Sequence, residues 1–199
     1  MNMNTNTISL LKGTLSRSIK NEKALTILEA LILFSLGVLA MVIHAKLRIP
    51  MQLPGRQGLI FIALLIVGRR ASDLPFAGSL FCAGAAGMQL TGVFGFHDPF
   101  LPFIYFLLGF WIDTLYSFSD RFGRTTLLVS LLGALSWVMI PLIRLVLSGF
   151  GAIPIQSVKF GPLYPIFTHL VFGFAGGLLG VSILKIFERK QNYSNPSPN

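Results

Sequence analysis

The chain has 199 residues, of which 53% are hydrophobic and only 12% charged. An ordinary soluble domain carries roughly 25% charged residues, so a water-soluble globule is excluded and an integral membrane protein is expected. The 16 Lys and Arg against 7 Asp and Glu give a formal charge of +9. These cations sit at the ends of apolar segments, and no basic run is interleaved with aromatics. They therefore read as lipid-headgroup contacts and topology signals, with no nucleic-acid partner. Cys82 is the only cysteine, so the chain offers no internal disulfide and no Cys-based metal site.

Residues 1–23 are polar, carry Lys12, Arg17, Lys20 and Lys23, and lack the small-residue cleavage site of a signal peptide. Ile8, Leu11, Leu15 and Ile19 would form one apolar stripe on a helix. This stretch is either an amphipathic helix on the membrane surface or a cytoplasmic tail.

Hydropathy then marks six apolar segments at 24–45, 57–68, 74–94, 99–118, 125–150 and 163–187. The expected fold is an all-α membrane domain over 24–188 with six transmembrane helices and short loops. An even number of crossings puts both termini on one side. Lys12, Arg17, Lys20, Lys23, Arg69, Arg70, Arg121, Arg124, Lys185, Arg189 and Lys190 share that side, whereas Lys46, Arg48, Arg56 and Lys159 lie opposite. That excess places both the N and C termini in the cytoplasm. The C-terminal tail, 189–199, is expected to be disordered.

The second segment has 12 residues, 57–68, and as a helix reaches only about 18 Å across a hydrocarbon core about 30 Å thick. Upstream, residues 47–54 read LRIPMQLP, apolar but broken by Pro50 and Pro54, with Gly55 following. Such a segment is expected to dip into the protein from the outer side, because irregular backbone at membrane depth must be buried in protein or line a cavity. A short tilted helix with a plain exterior loop is the alternative.

Small residues recur at four-residue spacing. Gly173 with Gly177 and Gly176 with Gly180 do so in the last segment, and Ser79, Ala83 and Gly87 in the third. Gly37 and Ala40 are weaker candidates in the first. These faces let helix backbones approach closely, either inside the monomer or against a partner.

An ionisable group inside a span costs about 2.5–3.5 kcal/mol on insertion scales, so each needs a partner or a wet cavity. Two sets emerge by depth. Arg144 and His169 each lie about 9 Å from the outer end of their segments. Around them fall His44, Lys46, Arg48, Gln52, Arg56, Gln57, His97, Tyr105, Lys159 and Tyr164, with Asp98 as the nearby acid. A concave site so lined would attract a solute bearing carboxylate or phosphate, since a guanidinium in low dielectric suits those groups. The substrate-binding residues expected on this ground are Arg144, His169, Gln57, Arg56, Gln52, His44, Tyr105 and Tyr164. Arg144 snorkelling to the interface is the alternative. The inner set is Glu29 and Asp113, with Arg69, Arg70, Arg121 and Arg124 at their level. Structural ion pairing or coupling to a partner subunit accounts for them.

No HExxH, P-loop or GxSxG is present, and the three histidines fall on separate segments. Neither an enzyme nor a cofactor or metal site is expected. Active transport would then need separate energising subunits.

Residues 45–70, AKLRIPMQLPGRQGLIFIALLIVGRR, resemble the first exterior loop and second helix of substrate-binding S components of energy-coupling factor (ECF) transporters. In particular they are similar to the biotin-type pattern, whose positions are Ile49, Pro50, Pro54, Gln57 and Gly68 here. The resemblance implies a membrane subunit that captures a vitamin-like micronutrient from outside under its first exterior loop. It then docks on a transmembrane coupling protein bearing two ATPase subunits. In that family the first helix carries an Ala-xxx-Ala face for the coupling protein. Here positions 30, 34, 37, 40 and 44 are Ala, Phe, Gly, Ala and His, so Gly37 and Ala40, with Glu29 and Asp113, are the candidate coupling residues. Arg56 stands where the biotin pattern has Thr, which leans toward a more anionic ligand. The rival reading, a structural or assembly protein of the rod-shape-determining type, rests on the similarity of LGFWIDTLYS, residues 108–117.

Overall fold

A computed structural model describes residues 22–46, 53–95, 98–119, 125–150 and 161–194. Residues 1–21, most of the 47–54 loop, Arg48, Gln52, His97, Arg121, Arg124 and Lys159 lie outside the described residues. All regular structure among the described residues is helical: α1 Glu22–Lys46, α2 Gly58–Ala71, α3 Ala77–Leu90, α4 Leu101–Ser119, α5 Thr126–Trp137, α6 Met139–Gly149 and α7 Leu163–Ser194.

Among the described residues, four stretches, not six, are long and apolar enough to cross a membrane: Glu22–Lys46, Leu101–Ser119, Thr126–Gly149 and Leu163–Arg189. The second and third expected spans are helices of 14 residues each, about 21 Å long. Local chemistry cuts them short. Pro54 and Gly55, the latter at φ +80°, hold the chain in a turn before α2, and extended Ser72 ends it. At the far end of α3, Gly92 and Gly95 take left-handed φ values of 66° and 74°, which stops the helix before the expected limit at 94. The fifth stretch is interrupted at Val138, between α5 and α6. Pro141 has no N–H to donate to the Trp137 carbonyl one turn back, so the helical ladder breaks there. The last helix continues to Ser194, into the region from 189 onward expected to be disordered.

Close contacts fix the helix directions. The Asp73 backbone N–H donates to Glu29 Oε1 at 3.1 Å, and Gly68 packs beside Leu33, so α1 and α2 are antiparallel. Gly37 abuts Phe81 and Ala85, and Gln89 meets Met41, so α1 and α3 run parallel. Gly176 lies on Gly58 and Leu59, and Gly180 on Ala63, so α2 and α7 run parallel. The start of α1 and the end of α7 therefore share one end of the bundle, the base. The opposite end, where α2, α4 and α7 begin, is the rim.

α2 is the central helix. Phe61, Ile62, Leu65 and Ile66 on it are buried, and α1, α3, α5 and α7 pack around it. The small-residue pairs are consumed by this packing. A Cβ on Gly37 would run into the Phe81 carbonyl, and one on Gly84 into the Phe34 carbonyl. Gly173 and Gly177 face α5, while Gly176 and Gly180 face α2. Gly37 and Ala40, the candidate coupling residues of α1, are both buried, Gly37 directly against α3. Backbones this close tolerate no side chain between them.

The outside of the bundle is apolar. Ile27, Leu31 and Phe34 on α1, Phe103, Phe106 and Phe110 on α4, and Leu127, Leu131 and Leu135 on α5 are all exposed. Each set falls on one side of its helix at spacings of three or four. Apolar surface this extensive is incompatible with water and suited to lipid.

Candidate functional site

At the base, Asp113 of α4 is 6% exposed and Arg69 of α2 is 8% exposed. Their closest approach, Arg69 Nε to Asp113 Oδ1, is 3.1 Å, an ion pair without hydrogen-bond alignment. Asp113 also accepts from the backbone N–H of Gly78 at 2.9 Å, and from the backbone N–H and hydroxyl of Ser79, each at 2.8 Å. It thus satisfies two of the otherwise unpaired donors in the first turn of α3. The Arg69 guanidinium lies over the Tyr116 ring, 5.2 Å from its centroid. Of the two expected accounts of Asp113, pairing with Arg69 is therefore present, and the carboxylate is turned inward. Glu29 holds the loop between α2 and α3 through Asp73.

The rim holds a second polar arrangement, built on aromatics. Phe61, Tyr105 and Trp137 contact one another, with ring centroids 4.9–6.2 Å apart. Trp137 stacks on His169 at 5.9 Å and 26°. The Trp137 indole Nε1–H donates to the Gly55 carbonyl at 2.9 Å, which ties the turn before α2 to the middle of the fifth stretch. Gly55 is buried, and a Cβ there would come within 2.8 Å of the His169 ring. Gly55 is thus seated in the protein while Leu53 is exposed, and most of the segment expected to dip, residues 47–52, lies outside the described residues.

His169 Nδ1 lies 2.7 Å from the Pro165 carbonyl oxygen. A carbonyl only accepts, so Nδ1 carries the proton in the neutral ring and Nε2 is left as an acceptor.

The other expected substrate-binding residues distribute unevenly. Tyr105 is 2% exposed within the aromatic cluster. His44 in the last turn of α1, Arg56 and Gln57 in the turn before α2, and Tyr164 in the first turn of α7 are partly buried at the rim. Gln52 lies outside the described residues. Arg144 departs from expectation: its Nη2 donates to Asp98 Oδ2 and its side chain is 44% exposed. On α6 only Ile140 and Pro141 are buried, and the guanidinium on its exposed side meets the carboxylate that precedes α4. The positive lining expected from Arg144 is therefore neutralised.

Two residues were missed by sequence reasoning. Trp137 is one of only two tryptophans and sits in mid-segment, away from the interfacial positions that tryptophan favours. A buried indole N–H needs an acceptor, and that was the available signal. Gln89, in the last turn of α3, is 3% exposed. Its Nε2 donates to Met41 Sδ at 3.6 Å, and its Oε1 accepts no hydrogen bond. Among the described residues no group of His, Cys, Asp and Glu could hold a metal ion. No protein family, curated protein or solved structure matches the chain.

Proposed function

We propose that the protein is the membrane-embedded capture subunit of an ECF-type importer. It takes up a small vitamin-like solute at the rim, and docking on a transmembrane coupling protein with two ATPase subunits drives the solute inward. On this reading the rim faces the exterior and both termini face the cytoplasm. α2 and α3, short as they are, complete six passes through a bacterial plasma membrane. The protein itself catalyses no reaction.

The observation that carries this reading is the turn at Pro54–Gln57, whose buried Gly55 is tied by its carbonyl to Trp137 and packed on His169. Irregular backbone inside a membrane bundle must be covered by protein or line a cavity. A turn seated by the Trp137 bond and by ring packing can be lifted to admit a solute and replaced above it. The similarity of residues 45–70 to the S-component loop and helix supports the same class. Tyr105, His169, Gln57, Arg56, His44 and Tyr164 stand around the turn and would contact the solute. Arg144 would do so only after release from Asp98. Glu29 and Asp113 hold helices at the base and stay clear of the solute.

Thermal denaturation of the purified protein against a panel of vitamins and small anions tests the reading. A true ligand at one hundred times its dissociation constant should stabilise the fold by about 2.7 kcal/mol. The protein should also copurify from its native membrane with a coupling protein and two ATPases. No shift with any ligand, together with no such copurification, refutes the proposal in favour of a structural role.

A further inference from the structure

The side chain of Gln89 is spared the usual tasks of a polar residue at a helix end. The end of α3 is closed without it: the Gly92 N–H bonds to the Gln89 backbone carbonyl at 3.2 Å, and the Thr91 hydroxyl to the Met88 carbonyl at 2.7 Å. The packing of α1 on α3 is made by Gly37 and Gly84. What the described residues leave for the Gln89 amide is a contact of 3.6 Å with a thioether, a weak acceptor, and an oxygen with no hydrogen-bond partner among them.

A carboxamide withdrawn from water and left unsatisfied opposes folding, whereas a Met or Leu of similar size would pack against Met41 without that penalty. The position is also specific. Gln89 belongs to the buried stripe of α3 that includes Cys82, Ala85 and Ala86. Cys82 packs against Gly109 of α4. Gln89 lies two turns rimward of Cys82, and Tyr105 lies one turn rimward of Gly109, so the open acceptor sits about one turn above Tyr105 at the solute end of the bundle.

We propose that Gln89 is a solute-reading residue whose open amide oxygen accepts a hydrogen bond from an N–H or O–H group of a neutral part of the captured molecule, such as an amide, ureide or hydroxyl. This rests on the importer reading and narrows it. With Arg144 occupied by Asp98, recognition draws on donors supplied by the solute as well as on the charge that Arg56 meets. A site built around an unfilled acceptor rejects analogues lacking the donor far more strongly than an apolar wall rejects a missing methylene.

The test uses the full chain with Gln89→Met, in two arms. Without ligand, the variant should melt at or above the temperature of the unaltered protein. A fall of several degrees would mean that the amide is held by a structural water and would overturn the inference. In the second arm, riboflavin, pyridoxine, nicotinamide, biotin, pantothenate and thiamine are screened by thermal shift. For whichever binds the unaltered protein, Gln89→Met should weaken affinity by about tenfold to a hundredfold, and Gln89→Glu, which keeps an acceptor, should recover part of it. Unchanged affinity in Gln89→Met overturns the role of Gln89 and leaves the importer reading standing. Absence of any shift in the unaltered protein, together with no copurification of a coupling protein and two ATPases, overturns both.

Discussion

Replacing Asp113 by Ala tests whether the base of the bundle is held by charge. The carboxylate accepts three hydrogen bonds from Gly78 and Ser79 and faces the Arg69 guanidinium at 3.1 Å. Both residues are at least nine-tenths buried, so little solvent screening applies. Removing one member of a buried pair costs about 3–5 kcal/mol, because the other charge stays behind uncompensated. The lost helix cap would by itself cost about 1 kcal/mol, and the two effects overlap rather than add. We expect Asp113→Ala to destabilise the protein by roughly 4 kcal/mol. Asp113→Asn should cost less, since it keeps one acceptor oxygen for α3. The double change Asp113→Leu with Arg69→Met should also be milder than Asp113→Ala, at about 1–2 kcal/mol, because no charge is stranded and the losses are the cap and the contact of Arg69 with Tyr116. Equilibrium unfolding in mixed micelles measures all three. If Asp113→Ala stays within about 0.5 kcal/mol of the unaltered protein, or proves milder than the double change, the buried pair does not stabilise the base as argued.

Gly37→Leu should prevent α1 from seating on α3 and abolish the folded monomer in size-exclusion profiles. Gly149→Ala, with no atom of the described residues within 4 Å of the added carbon, should be neutral or raise stability by up to about 1 kcal/mol. Equal effects at the two sites would remove the close-packing argument. Arg144→Ala should cost no more than about 1 kcal/mol, as expected for a half-exposed pair. If Arg144 reaches the solute only on leaving Asp98, Asp98→Asn should speed solute association in stopped-flow measurements. A rate unchanged by Asp98→Asn would show that the pair does not gate access. Trp137→Phe keeps the ring stack but loses the bond to Gly55, at a cost of about 1–3 kcal/mol. Hydrogen exchange at the amides of Gly58 and Leu59 should then accelerate, and unchanged protection there would mean that the turn is held by other contacts.

Membrane residence, helical class and the broken entry to α2 follow from composition, hydropathy and the Pro54–Gly55 pair, because each is local chemistry acting within a few residues. The need of Asp113 for an arginine was legible in the same way, since a carboxylate at that depth must be compensated. The shortening of α3 also had a local signal in Gly92 and Gly95, which a hydropathy window averages away. What one segment does to another was not legible. Spans bathed in lipid are apolar on every side, so periodicity does not reveal which face turns inward, and small-residue spacing says that a face packs but not against what. Only the assembled bundle assigns Gly37 to α3, buries Ala40, sends Arg144 to Asp98, and sets Trp137 beneath Gly55. It alone leaves the Gln89 oxygen unanswered. These pairings depend on the rotation and height of whole helices relative to one another, and those are set by the sum of many weak contacts across the bundle.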